Sequence, residues 1–200
     1  AFRRMYPASI TKMMTALLAL EYGRLEALVT VSEEAADQPG SSMSLRAGEV
    51  FTLEDLLYGL MLNSGNDAAW AIAEYIGGTA EGFFEMMNRR ARDLGAINTR
   101  FQNPHGLSDP NHYTTAFDLS LIAKTCLRHP YFRNLVATKE KDVLEVSEET
   151  RIQLANTNRL LWVYLGADGV KTGTTESAGQ CLVASATRGG MRLLSVVLNS

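Results

Sequence analysis

The sequence predicts an α+β fold in which a helical cluster packs on an antiparallel sheet. Three observations carry this. Apolar residues recur at helical spacing through much of the chain: Leu53, Leu56, Leu57, Leu60 and Met61 form one stripe, and Phe83, Met87, Ala91 and Leu94 another. The tail instead reads as two strands, at 179–188 and 191–198, joined by the tight turn Gly189-Gly190. The chain has 200 residues, 46% hydrophobic and 20% charged, which is enough apolar material for a buried core in one domain.

Taken in order, the first helix is expected over 10–22, opened by Pro7 and stopped at Gly23. The stretch 23–49 reads as mostly irregular, with Val29-Thr30-Val31 as a short strand and a turn at 38–42. Thr52 caps the next helix, with Glu54 and Asp55 in its first turn. That helix breaks at Asn63-Ser64-Gly65-Asn66, and another follows over 67–76, ended by Gly77-Gly78. Thr79 caps a helix over 80–94. A long loop rich in Asn, Pro, Gly and His spans 102–115. Thr115 with Asp118 resembles a capping pair for a helix over 116–129, closed before Pro130. Strands are expected at 139–146 and 151–155, around the polar turn Ser147-Glu148-Glu149-Thr150.

Three short motifs carry chemistry. In Ser9-Ile10-Thr11-Lys12, residues three apart share a helix face, so the Ser9 hydroxyl and the Lys12 amine can meet. A serine nucleophile needs a base within hydrogen-bond reach. Lysine serves only if its pKa falls from about 10.4 to near 7, a shift of about 4–5 kcal/mol supplied by burial and neighbouring positive charge. Ser64-Gly65-Asn66, at a break between two core-packed helices, can project Ser64 and Asn66 into a cleft, where an Asn side chain can grip a peptide amide. Lys171-Thr172-Gly173-Thr174 precedes the final strand pair; a lysine beside hydroxyls on a sheet edge can bind a carboxylate, and backbone N–H groups on that edge can face an oxyanion. Each motif alone also fits a plain structural role: a capped helix start with a solvated lysine, a helix–helix turn, and an exposed Gly/Thr turn.

Together and in this order the motifs resemble those of the penicillin-recognising serine acyl-transferases, the penicillin-binding proteins and serine β-lactamases. The flanking text narrows the likeness. Tyr6-Pro-Ala-Ser-Ile-Thr-Lys-Met-Met-Thr-Ala-Leu, Asp55-Leu-Leu-Tyr-Gly-Leu-Met-Leu-Asn-Ser-Gly-Asn-Asp-Ala-Ala, Asn103-Pro-His-Gly-Leu and Asp168-Gly-Val-Lys-Thr-Gly-Thr-Thr resemble the low-molecular-mass D-alanyl-D-alanine carboxypeptidases. This resemblance covers nearly the whole chain.

The resemblance implies a β-lactamase/transpeptidase-like fold and a single D,D-peptidase domain over 1–200, truncated at both ends relative to the family and so with an incomplete sheet. It implies that Ser9 is the nucleophile, Lys12 its base and Ser64 a proton relay to the leaving D-alanine. Asn66 would hold the acyl-side amide, and Lys171, Thr172 and Thr174 the terminal carboxylate. The N–H groups of Ser9 and Thr174 would form the oxyanion hole. The two lysines are expected to depress each other's pKa. The implied reaction removes the terminal D-alanine from peptidoglycan pentapeptides outside the cytoplasm, with β-lactams as covalent inhibitors. The alternatives are a serine β-lactamase, for which no deacylating glutamate is assignable, and a non-catalytic penicillin-binding sensor or scaffold.

The remaining features argue against other classes. A net charge of −3 gives no footprint for nucleic acid. No apolar run approaches the roughly 20 residues of a membrane span; the family resemblance implies membrane association only through segments absent from this chain. No cofactor is expected, and His105, His112 and His129 lack the spacing of metal ligands. Cys126 and Cys181 read as two buried free thiols.

Overall fold

The computed structural model describes residues 1–147 and 150–200. Pro7 leads into a 3-10 turn, Ala8–Thr11, which runs directly into α1 (Lys12–Tyr22). Every residue of α1 from Lys12 to Ala19 is buried. A helix apolar on nearly all sides must lie at the centre of its domain, and α1 packs against the helices that follow.

The next segment is less irregular than the sequence predicts. β1 (Leu28–Thr30) leads to the one-turn α2 (Glu33–Ala36) and to β2 (Val50–Thr52), which pairs antiparallel with β1. The predicted caps then appear. Thr52 accepts from the Asp55 N–H at the head of α3 (Leu53–Met61). After the break comes α4 (Asn66–Gly77), and Thr79 accepts from Gly82 N at the head of α5 (Ala80–Asp93). Thr115 accepts from Asp118 N to start α6 (Ala116–Cys126).

Here the structure departs from the predicted helix over 116–129. α6 stops at Cys126, and α7 (Pro130–Ala137) begins with Pro130 in its first turn. A proline that closes one helix also suits the first position of the next, where no N–H is needed. The hairpin β3 (Glu140–Leu144) and β4 (Arg151–Ala155) follows, in the predicted places. Glu148 and Glu149 of its predicted turn lie outside the described residues.

A short α8 (Leu160–Val163) precedes a three-stranded antiparallel sheet of β5 (Ala167–Thr175), β6 (Gly179–Arg188) and β7 (Met191–Val197). The order is β5-β6-β7, so β5 lies at an edge. The Lys171–Thr174 motif therefore lies on a sheet edge, as expected, within a strand of its own that pairs with the predicted final two. Its alternation explains this: Lys171 and Gly173 are buried, while Thr172 and Thr174 face outward.

One cluster of buried side chains runs from Ala8 to Val183 and joins helices to sheet. Phe51, Phe83, Phe101 and Phe132 are fully buried in it, each stabilising the fold by about 1.5–3 kcal/mol. Cys126 and Cys181 are both buried and free, and burial raises both thiol pKa values. Among the described residues no helix is long and apolar enough to cross a membrane.

Candidate active site

The site forms where the 3-10 turn, the break between α3 and α4, the 102–115 loop and β5 converge. In a 3-10 turn, side chains three apart eclipse one another. This stacks Ser9 on Lys12 more directly than an α-helical turn would. Lys12 Nζ lies 3.1 Å from Ser9 Oγ, 2.6 Å from Asn66 Oδ1 and 2.9 Å from the His105 carbonyl oxygen.

The partners differ in kind. The His105 carbonyl can only accept. Asn66 Nδ2 donates to the Pro39 carbonyl at 2.5 Å, which turns Oδ1 towards Lys12 as an acceptor. A neutral amine has two N–H bonds and one lone pair. With both N–H bonds given to these fixed acceptors, the lone pair is left for the Ser9 hydroxyl.

The surroundings favour that neutral form. Lys12 is 0% exposed. Its pKa is held well below the usual lysine range, first by burial and then by the positive charge of Lys171, with Asp67 opposing. Lys171 is also buried, and burial lowers its pKa to about 7. Burial is thus the larger cause for Lys12 and the repulsion from Lys171 the smaller, while Lys171 is lowered by burial alone. Lys171 Nζ donates to the Thr172 carbonyl at 3.0 Å.

β5 comes very close to the serine. A Cβ added at Gly173 would lie 2.9 Å from Ser9 N, so this position has room for backbone only. Thr172 is half-buried, and its Oγ1 lies 2.7 Å from Thr157 Oγ1; Thr174 is exposed. Ser64 is buried at the α3–α4 break in a left-handed conformation, φ 61°. Such a φ costs a non-glycine residue about 1–2 kcal/mol, a strain most often found at functional positions. The structure therefore links Ser9, Lys12 and Asn66 by direct bonds, sets Lys171 within electrostatic reach, and brings Ser64, Thr172 and Thr174 in on the flanking backbone.

Residues 2–200 match the profile of the D-alanyl-D-alanine carboxypeptidase family of peptidases. The chain belongs to this family. D-alanyl-D-alanine carboxypeptidase DacF of Bacillus subtilis is 43% identical over 202 residues, covering 98% of this chain and 52% of the relative. DacC of Escherichia coli is 41% identical over 212 residues, covering 100% of this chain and 52% of the relative. The crystal structure of a Streptomyces DD-transpeptidase superposes with a TM-score of 0.94 at 38% identity, over 100% of this chain and 82% of that one. The chain spans about half the length of the curated relatives it matches first.

This member of the carboxypeptidase family also depends on groups that the motifs do not reveal. His105 contributes a backbone oxygen, not its ring. The ring accepts from Leu107 N at Nδ1, lies 3.1 Å from Gln38 Oε1 at Nε2, and stacks on Trp70. Burial, then the charges of Lys12 and His112, lower its pKa to about 3. Gly106 adopts φ +94°, and a Cβ there would collide with the Ala8 carbonyl, so the loop can reach the serine turn only with glycine. Asn103-Pro-His-Gly in the sequence was the available signal.

Asp67 is the other hidden element. Its buried carboxylate, in the first turn of α4, accepts from Ser42 Oγ, Met43 N, Leu45 N and Ala68 N. It ties the 42–45 segment beside Asn66. Asp67→Asn places an amide against these donors and strands at least one of them. The expected cost is about 2–3 kcal/mol, or roughly 5–10 °C in melting temperature, read by calorimetry; an unchanged melting curve would show that the segment is held otherwise.

Proposed function

We propose that residues 1–200 act as one D,D-peptidase domain that removes the terminal D-alanine from peptidoglycan stem pentapeptides through an acyl-enzyme. Neutral Lys12 takes the Ser9 proton as Oγ attacks the carbonyl of the penultimate D-alanine. The oxyanion faces the N–H groups of Ser9 and Thr174, and each such donor contributes about 3 kcal/mol in comparable sites. Collapse breaks the C–N bond, and a proton passed through Ser64 leaves with the amine of D-alanine. Water then hydrolyses the ester and restores Ser9. Asn66 holds the acyl-side amide, using the second hydrogen of Nδ2. Lys171, Thr172 and Thr174 hold the carboxylate that only a C-terminal residue possesses.

The observation that carries this reading is the set of three contacts on Lys12 Nζ, which leaves one lone pair for Ser9. A β-lactam offers a similar carbonyl and carboxylate, so the same step makes a lasting penicilloyl ester. Such substrates place the protein outside the cytoplasm, as a secreted or surface enzyme of wall growth and cell shape.

The test is release of D-alanine from a pentapeptide ending in D-Ala-D-Ala. Release is expected, and penicillin should suppress it in proportion to the fraction of protein labelled. A protein that forms the penicilloyl ester yet frees no D-alanine would overturn the reading, as would rapid turnover of the β-lactam itself.

A further inference from the structure

The mechanism leaves one buried histidine unused. His112 is 1% exposed and lies at the base of the loop that presents the His105 carbonyl. Its Nδ1 accepts from Gln102 N at 3.1 Å, so in the neutral ring the proton sits on Nε2. Nε2 then donates to Thr11 Oγ1, 2.8 Å away. Thr11 stands between Ser9 and Lys12 and is equally buried. On the other face of the same loop, Thr15 Oγ1 donates to the Pro104 carbonyl at 2.6 Å, and Gly106 abuts the Ala8 carbonyl.

We infer that His112 is a positioning residue: as a neutral Nε2–H imidazole it rivets the loop to Thr11 and so fixes the distance between the His105 carbonyl and the Lys12 amine. The inference rests on the proposed acyl-enzyme chemistry at Ser9. Its physical basis is the rigidity of the ring. One planar group accepts at one edge and donates at the other, so the loop base and the serine turn cannot move independently. Burial, opposed by Asp109, lowers the His112 pKa to about 4, which keeps the donor–acceptor pattern intact near neutrality. Phe101 meets the ring edge-on, with centroids 5.6 Å apart. Without the link, His105 can drift from Lys12, and the amine no longer aims its lone pair at Ser9. Misplacement on the ångström scale at reacting groups slows chemistry by up to about a hundredfold.

The test uses the intact protein and acylation by benzylpenicillin, followed by rapid mixing so that initial binding and the first-order acylation step are separated. Thr11→Val removes the acceptor at nearly constant shape. His112→Asn can keep the bond to Gln102 N but falls short of Thr11. Each should slow the acylation step about tenfold or more and leave the binding constant within about twofold. The double variant should be no slower than the slower single variant, because both remove one link. Thr11→Ser should restore the rate to within about twofold. If Thr11→Val melts below the assay temperature, Thr11→Ala removes the same acceptor and is read in the same way. A wild-type acylation step in the valine variant, losses that multiply in the double variant, or an effect confined to binding each overturn the inference. A wild-type protein without any penicilloyl group on Ser9 would bring down the functional reading too; normal labelling with an unaffected Thr11→Val brings down this one alone.

Discussion

Lys12→Ala should slow acylation of Ser9 by about a thousandfold to ten-thousandfold, the range expected when a positioned general base is lost. The substitution removes the only amine bonded to Ser9 Oγ among the described residues and leaves Asn66 Oδ1 and the His105 carbonyl without their donor. A pH profile separates lost chemistry from lost structure. The folded-state pKa of Lys12 lies below its ordinary value, so the amine is neutral above that lowered pKa and takes a proton as the pH falls through it. Wild-type acylation should therefore decline on acidification, and this limb should vanish in the alanine variant. Stopped-flow traces with a chromogenic β-lactam would read both. A near-normal rate in Lys12→Ala would assign the base to another group.

Ser9→Ala should abolish covalent labelling altogether. In the proposed step Oγ forms the new ester bond while the lactam C–N bond breaks, so nothing leaves and the wild-type protein gains the full mass of the drug. The alanine variant has no atom to form that bond, and its intact mass should be unchanged after penicillin. Lys12 keeps two of its three partners in this variant, so the fold should persist by circular dichroism. A persisting adduct, or a wild-type adduct mapped to a peptide without Ser9, would displace Ser9 as nucleophile.

Much of this molecule was legible in its sequence, for reasons that differ by element. The caps at Thr52, Thr79 and Thr115 were readable because a side-chain oxygen at a helix start has a local job. The β6–β7 hairpin was readable from its two glycines. α7 is not legible because a proline that ends one helix gives no sign of whether it also opens the next. The sheet-edge position of Lys171 is legible, but the length of β5 is not, because Gly and Thr dominate it and an edge strand against another backbone favours small residues. The β1–β2 pair joins segments far apart in the chain, which local patterns do not report.

In the site, the residues legible in the sequence are those whose side chains are proposed to carry the chemistry. Those missed act through their backbone or at a distance. A carbonyl such as that of His105 or Pro39 has no residue-type signature, since every residue has one. Asp67 follows Asn66 directly, and a carboxylate in the first turn of a helix is ordinary in itself. Only the folded chain reveals that it gathers the 42–45 segment.

The three partners of the Lys12 amine stand 3, 54 and 93 positions away along the polypeptide. No fragment short of the near-complete helical region can supply all of them. During refolding, reactivity should therefore arrive late and abruptly, after most of the secondary structure, and a chain nicked between those points would stay inert until its pieces reassembled. Penicillin would then serve as a chemical clock for the final closure of the molecule.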